Sequence, residues 1–249
     1  MFLILLFILG LIVGSFLNCV IYRLEKDQSF ISGRSFCPHC NHVLNWQDLV
    51  PVLSFIFLKR KCRYCYKLIS WQYPLVELST AILFLFIGFN FSDPISLIYY
   101  LVIVSLLLIV FVFDLKHHLI PDRVVYLAIG ATAFWHLFSK AQILNFILAA
   151  IGVGLFFLAI YFLTHKKGLG LGDVEIAFFM GLFLGFPMIL LAVFLAFSSG
   201  ALIGIILIFL SKKTLKSELA FGPFLVVATL FSAFFGQPLI NLYLGFLGY

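Results

Sequence analysis

Long apolar stretches alternate with short polar segments along the chain, and this alternation indicates helices that cross a membrane. A span needs about 20 mostly apolar residues. Eight stretches qualify, at about 1–22, 74–91, 96–113, 123–138, 143–164, 174–186, 188–210 and 220–246. The sixth is short for a full crossing, and its connection to the seventh, at Gly185 and Pro187, is very short. The pattern predicts an all-α polytopic membrane protein of about eight transmembrane helices.

Composition supports this fold class and excludes an ordinary soluble domain. The 249 residues are 64% hydrophobic and 10% charged, whereas a soluble domain is nearer half apolar and a quarter charged. The net charge of +6 is compatible with nucleic-acid binding. In a membrane protein, however, Lys and Arg mark the cytoplasmic loops, so we expect the lipid bilayer as a partner and no nucleic acid.

The distribution of positive charge predicts the orientation. The first stretch lacks a basic segment before it and a small-residue cleavage site, and Arg23 follows it, so we expect a retained helix and not a signal peptide. With the N-terminus outside, the inside segments are 23–73, 114–123, 165–175 and 211–219. They hold fifteen of the sixteen Lys and Arg residues, and only Lys140 lies outside. This bias strongly favours the N-out topology.

The inside segment 23–73 carries two CxxC pairs and is predicted to be a small cytosolic zinc-binding insertion. Four thiolates in two such pairs can close a tetrahedral zinc site. A metal ion also suits a segment whose own core is thin. Two disulfides or unrelated thiols are the alternatives, although disulfides are rare in the cytosol. The predicted ligands are Cys37, Cys40, Cys62 and Cys65, with His39 and His42 as possible substitutes.

Two other inside segments place carboxylates at helix ends. "FDLKHHLIPDR" carries Asp114 and Asp122 at the end of the third span, and "GLGLGD" carries Asp173 beside the sixth. Two crossings separate Asp114 from Asp173, so both reach the same face at similar depth. Ionisable groups at membrane depth are functional candidates. Two facing carboxylates that share a proton are the minimum apparatus of an aspartic protease, in which one activates water and the other polarises the scissile carbonyl.

Each aspartate also has a structural interpretation. Asp114 and Asp173 alone would be solvated loop charges or helix N-caps, and Asp173 is a plausible N-cap of the sixth helix. Asp122, after Pro121, is a candidate cap of the fourth helix with a supporting role in the site.

The glycines before Asp173 suggest close backbone packing. Gly168, Gly170 and Gly172 permit backbone conformations closed to other residues and leave room for a neighbouring chain, such as a substrate strand. We therefore expect Gly170 and Gly172 to support the site. A dinucleotide-binding fingerprint is a weaker interpretation, because the third glycine spacing and the preceding strand are missing.

The chain resembles the type IV prepilin peptidases, also called prepilin leader peptidase/N-methyltransferases, in six sequence blocks that occur in the family's order. Among the members of this family, it is most similar to the shorter, competence-type enzymes. The blocks are "GSFLNCVIYRL", "CPHC…CRYC", "ISWQYPLVEL", "DLKHHLIPD", "GLGDVE" and "FGPFL". Three positions differ from the family pattern: Glu175 stands where a lysine is frequent, Glu25 where a proline is frequent, and Asp48 where another polar residue is frequent.

The resemblance implies a bifunctional enzyme of the bacterial plasma (inner) membrane. Such an enzyme cleaves the short basic leader of type IV prepilin or pseudopilin substrates at the cytoplasmic face. It then methylates the new N-terminal amine with S-adenosylmethionine. By this resemblance Asp114 and Asp173 are catalytic and the four cysteines bind structural zinc, whereas no residue is assigned to the methyl donor.

The predicted domains are the first helix (1–22), the cytosolic four-cysteine domain associated with methyl transfer (23–73) and the transmembrane aspartic peptidase domain (74–249). Two other functions compete with this assignment. A transporter would use the same carboxylates for coupling, although we find no repeated halves and the aspartates lie at helix ends. A non-catalytic zinc-binding scaffold would use them structurally.

Overall fold

The computed structural model describes residues 1–29, 33–139, 143–165, 168–210 and 219–246. In these ranges the chain is helical, with no strand beyond two isolated β-bridges, which confirms the predicted fold class. The α-helices described are α1 (Phe2–Glu25), α2 (Leu53–Phe57), α3 (Gln72–Asn90), α4 (Pro94–His117), α5 (Asp122–Phe138), α6 (Ile143–Leu163), α7 (Leu171–Leu184), α8 (Met188–Phe209) and α9 (Gly222–Phe246). Lys140 and the segment 211–218 lie outside the described residues.

All eight predicted stretches form helices, and six of these are long and apolar enough to cross a membrane. The six are α1, α3, α4, α6, α8 and α9. The helix α7 has 14 residues, a length of about 21 Å against a hydrocarbon core of about 30 Å. It begins at Leu171, three residues before the predicted start, and ends before Gly185, whose φ of +66° closes the helix. The protein is therefore a multi-pass membrane protein.

The chain divides into two compact units, and the first comprises Met1–Ile109. Here α1 packs on α3 through two glycines spaced as Gly-x-x-x-Gly. A Cβ at Gly10 would lie 2.5 Å from the Ala81 Cα, and one at Gly14 would lie 2.6 Å from the Glu77 Cα. The backbones therefore approach as closely as small residues permit in membrane helix pairs. The sequence carried this signal in "GLIVG", but pattern analysis for spans does not identify the partner helix.

The second unit, Val110–Tyr249, is built around α7, which packs against α5, α6, α8 and α9. This central position explains why α7 is mostly buried despite its short length. A Cβ at Gly181 would lie 2.5 Å from the Ala150 Cα, so α6 and α7 cross in close contact. Near the end of α7, the Leu182 carbonyl accepts a hydrogen bond from the His136 Nε2 at 2.9 Å, which satisfies a carbonyl that the helix leaves without a partner.

Candidate active site and metal centre

Asp114 lies one turn before the end of α4 and is nearly inaccessible, with 4% of its surface exposed. Gly222, the first residue of α9, lies directly against this carboxylate. Its Oδ2 is buried and has no hydrogen-bond partner among the described residues. A buried carboxylate oxygen left without a donor is costly for a structural residue, and it is suited to receiving a group from a bound substrate.

Asp173 lies in the first turn of α7 and is also buried, with 9% of its surface exposed. The prediction that it is the N-cap is wrong: the N-cap is Gly170, and Asp173 is the third residue of the helix. Its Oδ2 accepts a hydrogen bond from the Gly170 N–H at 2.8 Å. This is one half of a capping box, so the carboxylate is fixed in orientation by the helix start that it stabilises.

The fold brings Asp114 and Asp173 together inside the second unit. Their charges interact, and the packing of α7 among its neighbours places both carboxylates in one buried region. Asp122 is different: it is exposed in the first turn of α5, where Pro121 is the N-cap, so its predicted capping role is wrong. Its negative charge acts instead on Tyr126, one turn further along α5.

The glycines of "GLGLG" act through close packing and not through unusual backbone angles. The φ angle is not positive at Gly168, Gly170 or Gly172. A Cβ at Gly172 would lie 2.7 Å from the Ile120 Cβ. The expected close approach of a neighbouring chain is therefore present, but the neighbour is the protein's own segment before α5. This contact seats the first turn of α7, and with it Asp173.

Gly222 is a site residue that the sequence pattern did not single out, although it belongs to the "FGPFL" block. It opens α9 against Asp114: a Cβ there would lie 2.6 Å from the Asp114 Oδ2. The preceding Phe221 fixes this position through ring contacts to Phe197 and Phe157, with centroids 5.1 and 6.4 Å apart. Aromatic packing of Phe221 thus fixes position 222, where only glycine leaves room for the Asp114 carboxylate.

Gly222→Ala is expected to reduce the activity of the carboxylate pair by roughly a hundredfold, because a displacement of about 1 Å at a reacting group has that effect. The added methyl group would push the Asp114 carboxylate away while leaving its charge in place. Gly204→Ala in α8 is the matched control, since a Cβ there meets no atom within 4 Å. Equal rates of substrate cleavage by the two variants, measured at equal protein levels, would contradict this role.

Glu175 and Tyr126 join α7 to α5 beside the carboxylate pair. The Tyr126 hydroxyl donates a hydrogen bond of 2.7 Å to the Glu175 Oε1. This hydrogen bond joins α7 to α5 one helical turn after Gly172, which contacts Ile120. This geometry gives the second acid of "GDVE" a packing role that the sequence alone did not suggest.

The four predicted cysteine ligands converge in the first unit. Their sulfur atoms lie within 4.8 Å of one another, and the Cys37 and Cys65 Sγ atoms are 3.9 Å apart. A tetrahedral zinc ion with Zn–S bonds of about 2.3 Å requires S···S distances of about 3.8 Å. All five cysteines, including Cys19 in α1, are free thiols. The arrangement thus fits a metal ion, and the disulfide alternative does not describe it.

Both CxxC pairs have the same local structure. The Cys37 N–H donates to the His42 carbonyl and the Cys62 N–H to the Lys67 carbonyl, each at 2.9 Å. In each case the residue after the second cysteine, Asn41 or Tyr66, has a positive φ. The turns point backbone amides at the sulfur atoms, as zinc-binding loops require, and Asp48 binds the second pair through a 2.8 Å ion pair with Arg63.

The thiols of this cluster differ in acidity. Burial raises the pKa of Cys37. Hydrogen bonds from the His39 and Cys40 amides and from neighbouring thiols lower this pKa by more than burial raises it, and the net pKa is about 7. For Cys65, the Lys67 amide lowers the pKa, whereas burial and the three other thiols raise it more, to about 11. The close thiols therefore favour the thiolate form of Cys37 and oppose that of Cys65. A bound cation would stabilise all four thiolates together.

Comparison with known proteins identifies the family of the chain. A model described as the bacterial peptidase A24 N-terminal domain matches residues 8–91, and one described as the type IV leader peptidase family matches 101–205. Proteins named prepilin leader peptidase/N-methyltransferase are similar over most of their length. The one from Bacillus subtilis (strain 168) is 34% identical, with 96% of each chain covered. The protein from Legionella pneumophila is 30% identical, with 95% of this chain and 92% of the relative covered. The protein from Pectobacterium carotovorum subsp. carotovorum is 32% identical, with 90% of each chain covered. No solved structure matches.

Proposed function

We propose a function from the premise that the chain belongs to the prepilin leader peptidase/N-methyltransferase family. It cleaves the leader peptide of type IV prepilin-like proteins and then methylates the new N-terminal amine. The observation that supports the peptidase activity best is the pairing of the two buried carboxylates, Asp114 and Asp173, within one unit.

The carboxylate pair accounts for the hydrolysis as follows. The two acids share one proton, because two negative charges in one buried region repel each other. The ionised carboxylate takes a proton from water, whose oxygen adds to the scissile carbonyl carbon, while the protonated carboxyl donates to the carbonyl oxygen. The C–N bond then breaks, and the leaving amine takes a proton from the pair. The roles belong to the pair, so neither is assigned to one residue.

We assign the methyl transfer to the first unit, which carries the four-cysteine segment 23–73, and the peptidase chemistry to the two aspartates within 74–249. Structural zinc held by the four cysteines would stabilise this segment, whose other stabilising contacts are few. S-adenosylmethionine, when bound, supplies the methyl group. The charge distribution supports an N-terminus outside and both activities at the cytoplasmic face. The family comparison does not favour the transporter and scaffold alternatives.

Co-expression with a candidate prepilin, followed by mass spectrometry of the mature N-terminus, tests both activities in one measurement. The expected product lacks its leader and carries one additional methyl group, which distinguishes it by mass from the unmethylated mature chain. A full-length prepilin would contradict the peptidase function. A mature but unmethylated N-terminus, with methyl donor present in excess, would contradict the methyltransferase function only.

A further inference from the structure

A buried carboxylate in the first unit has no part in the peptidase chemistry. Glu77 lies in the second turn of α3 with 6% of its surface exposed. It sits where α1 crosses α3, beneath Gly14. Its Oε2 accepts a hydrogen bond of 2.7 Å from the Val52 N–H. The side chain therefore joins α3 to the loop that precedes α2.

Glu77 has no cationic partner in the described part of the chain. The ion pairs found there are Lys26–Glu25 and Arg63–Asp48. Arg23, the buried arginine of this unit, donates hydrogen bonds to the backbone carbonyls of Gly33 and Arg34. Buried charges in proteins are normally paired or bound to a metal ion. A carboxylate has about four acceptor sites, and the Val52 N–H occupies only one of them.

The surroundings of Glu77 are polar and strained. Val52, which donates to it, has φ of 60° and ψ of −48°, a conformation that is rare and strained for a β-branched residue. One turn away, the buried Asn18 donates to the Tyr73 carbonyl at 3.1 Å and accepts from Gln72 at 3.4 Å. Strained backbone positions of this kind cluster at active sites and ligand clamps.

We propose that Glu77 receives the positively charged group of the methyl-transfer reaction, a proposal that rests on the proposed function. Two groups of that reaction carry or acquire positive charge: the sulfonium of the methyl donor and the new N-terminal amine of the substrate. The amine lone pair forms a bond to the methyl carbon while the C–S bond breaks and leaves its electron pair on sulfur. The amine then carries the charge and releases one proton. A carboxylate at Glu77 can contact either group.

The alternative is that Glu77 only anchors the loop at Val52, and two substitutions separate the two roles. Glu77→Gln keeps an oxygen that accepts from the Val52 N–H but removes the charge. Glu77→Asp keeps the charge but shortens the side chain, which lengthens the 2.7 Å contact. The cation role predicts that the glutamine variant is the more impaired. The anchor role predicts that the aspartate variant is.

The experiment measures ligand binding and methylation with the full chain in lipid nanodiscs. S-adenosylmethionine carries the sulfonium, and S-adenosylhomocysteine is its uncharged thioether counterpart. If Glu77 holds the sulfonium, Glu77→Gln should weaken binding of the first by about tenfold or more and leave the second unchanged. If Glu77 holds the amine, both ligands should bind normally, while the methylation rate falls by about a hundredfold. Normal binding together with normal methylation in Glu77→Gln overturns the proposal.

Two controls make the result specific. Glu25→Gln makes the same chemical change in the same unit and should alter neither binding nor methylation. Leader cleavage by Glu77→Gln should remain, which shows that the variant inserts and folds. If the unaltered protein itself neither binds the donor nor methylates, the methyltransferase half of the proposed function fails, and this outcome differs from a failure confined to Glu77. A glutamine variant that methylates better than the aspartate variant also overturns the cation role.

Discussion

Asp114→Asn and Asp173→Asn are each expected to lower leader cleavage by about a thousandfold, because proton transfer by a positioned carboxyl contributes about 10²–10⁴ to a rate. Asparagine has nearly the same shape. At position 173 its side-chain oxygen can still accept from the Gly170 N–H, so the start of α7 is preserved. The loss would therefore come from chemistry and not from unfolding. Gel mobility of a co-expressed prepilin measures it.

The double variant gives a sharper result. If the two carboxylates act as one unit, Asp114→Asn combined with Asp173→Asn should be no slower than either single variant, because each single change already removes the shared proton. Independent roles would instead multiply the two losses. Asp27→Asn is the control: Asp27 is exposed in the first unit with φ of 50°, a conformation that asparagine tolerates well. Either single variant processing prepilin at the unaltered rate would refute the catalytic assignment.

The sequence predicted which parts of the chain are helical far better than which helices meet. Apolar length located eight helices to within a few residues, because the membrane requires long apolar segments. The same requirement removes information about packing: helices that are apolar on all sides show no preferred face. The central position of α7 and its contacts with four neighbours therefore came only from the structure.

The start of α7 shows a second limit. Hydropathy placed the first residue at 174, because Gly172 and Asp173 are polar or small, yet the helix begins at Leu171. The cap is a backbone arrangement at Gly170 in which Asp173 is the acceptor and not the capping residue. Local propensity alone does not distinguish these two registers.

The site was predicted where chemistry restricts residue type and was missed where only space matters. Two aspartates at one membrane face and two CxxC pairs are patterns typical of an active site and of a metal site, and in the structure each predicted set of side chains comes together. Gly222 could not be found in this way, because a glycine required to avoid Asp114 looks like any other glycine until the two are seen together. Glu77 was visible as an acid near a span, but its burial and its lack of a cationic partner in the described residues are three-dimensional facts.

Purified protein is expected to contain about one zinc ion per chain, and Cys37→Ser combined with Cys62→Ser should lose nearly all of it. Each substitution removes one sulfur from a different CxxC pair, so neither pair can bind the ion alone. Structural zinc sites of this type contribute about 10–16 kcal/mol of binding free energy at neutral pH, and the loss of two thiolates removes most of it. Metal content by mass spectrometry of the intact purified protein is the measurement.

The loss of zinc should also destabilise the segment that carries the cysteines. This segment has a short 3-10 turn at Trp46–Leu49, the short helix α2 and few buried side chains, so little else holds it. Trypsin should cut the basic run from Lys59 to Arg63 faster in the double variant, and a chelator should have the same effect on the unaltered protein. Cys19→Ser is the matched control, because Cys19 lies in α1 outside the four-sulfur cluster. Full zinc retention by the double variant would refute the four-cysteine site, whereas zinc loss from Cys19→Ser would point to general unfolding as the cause.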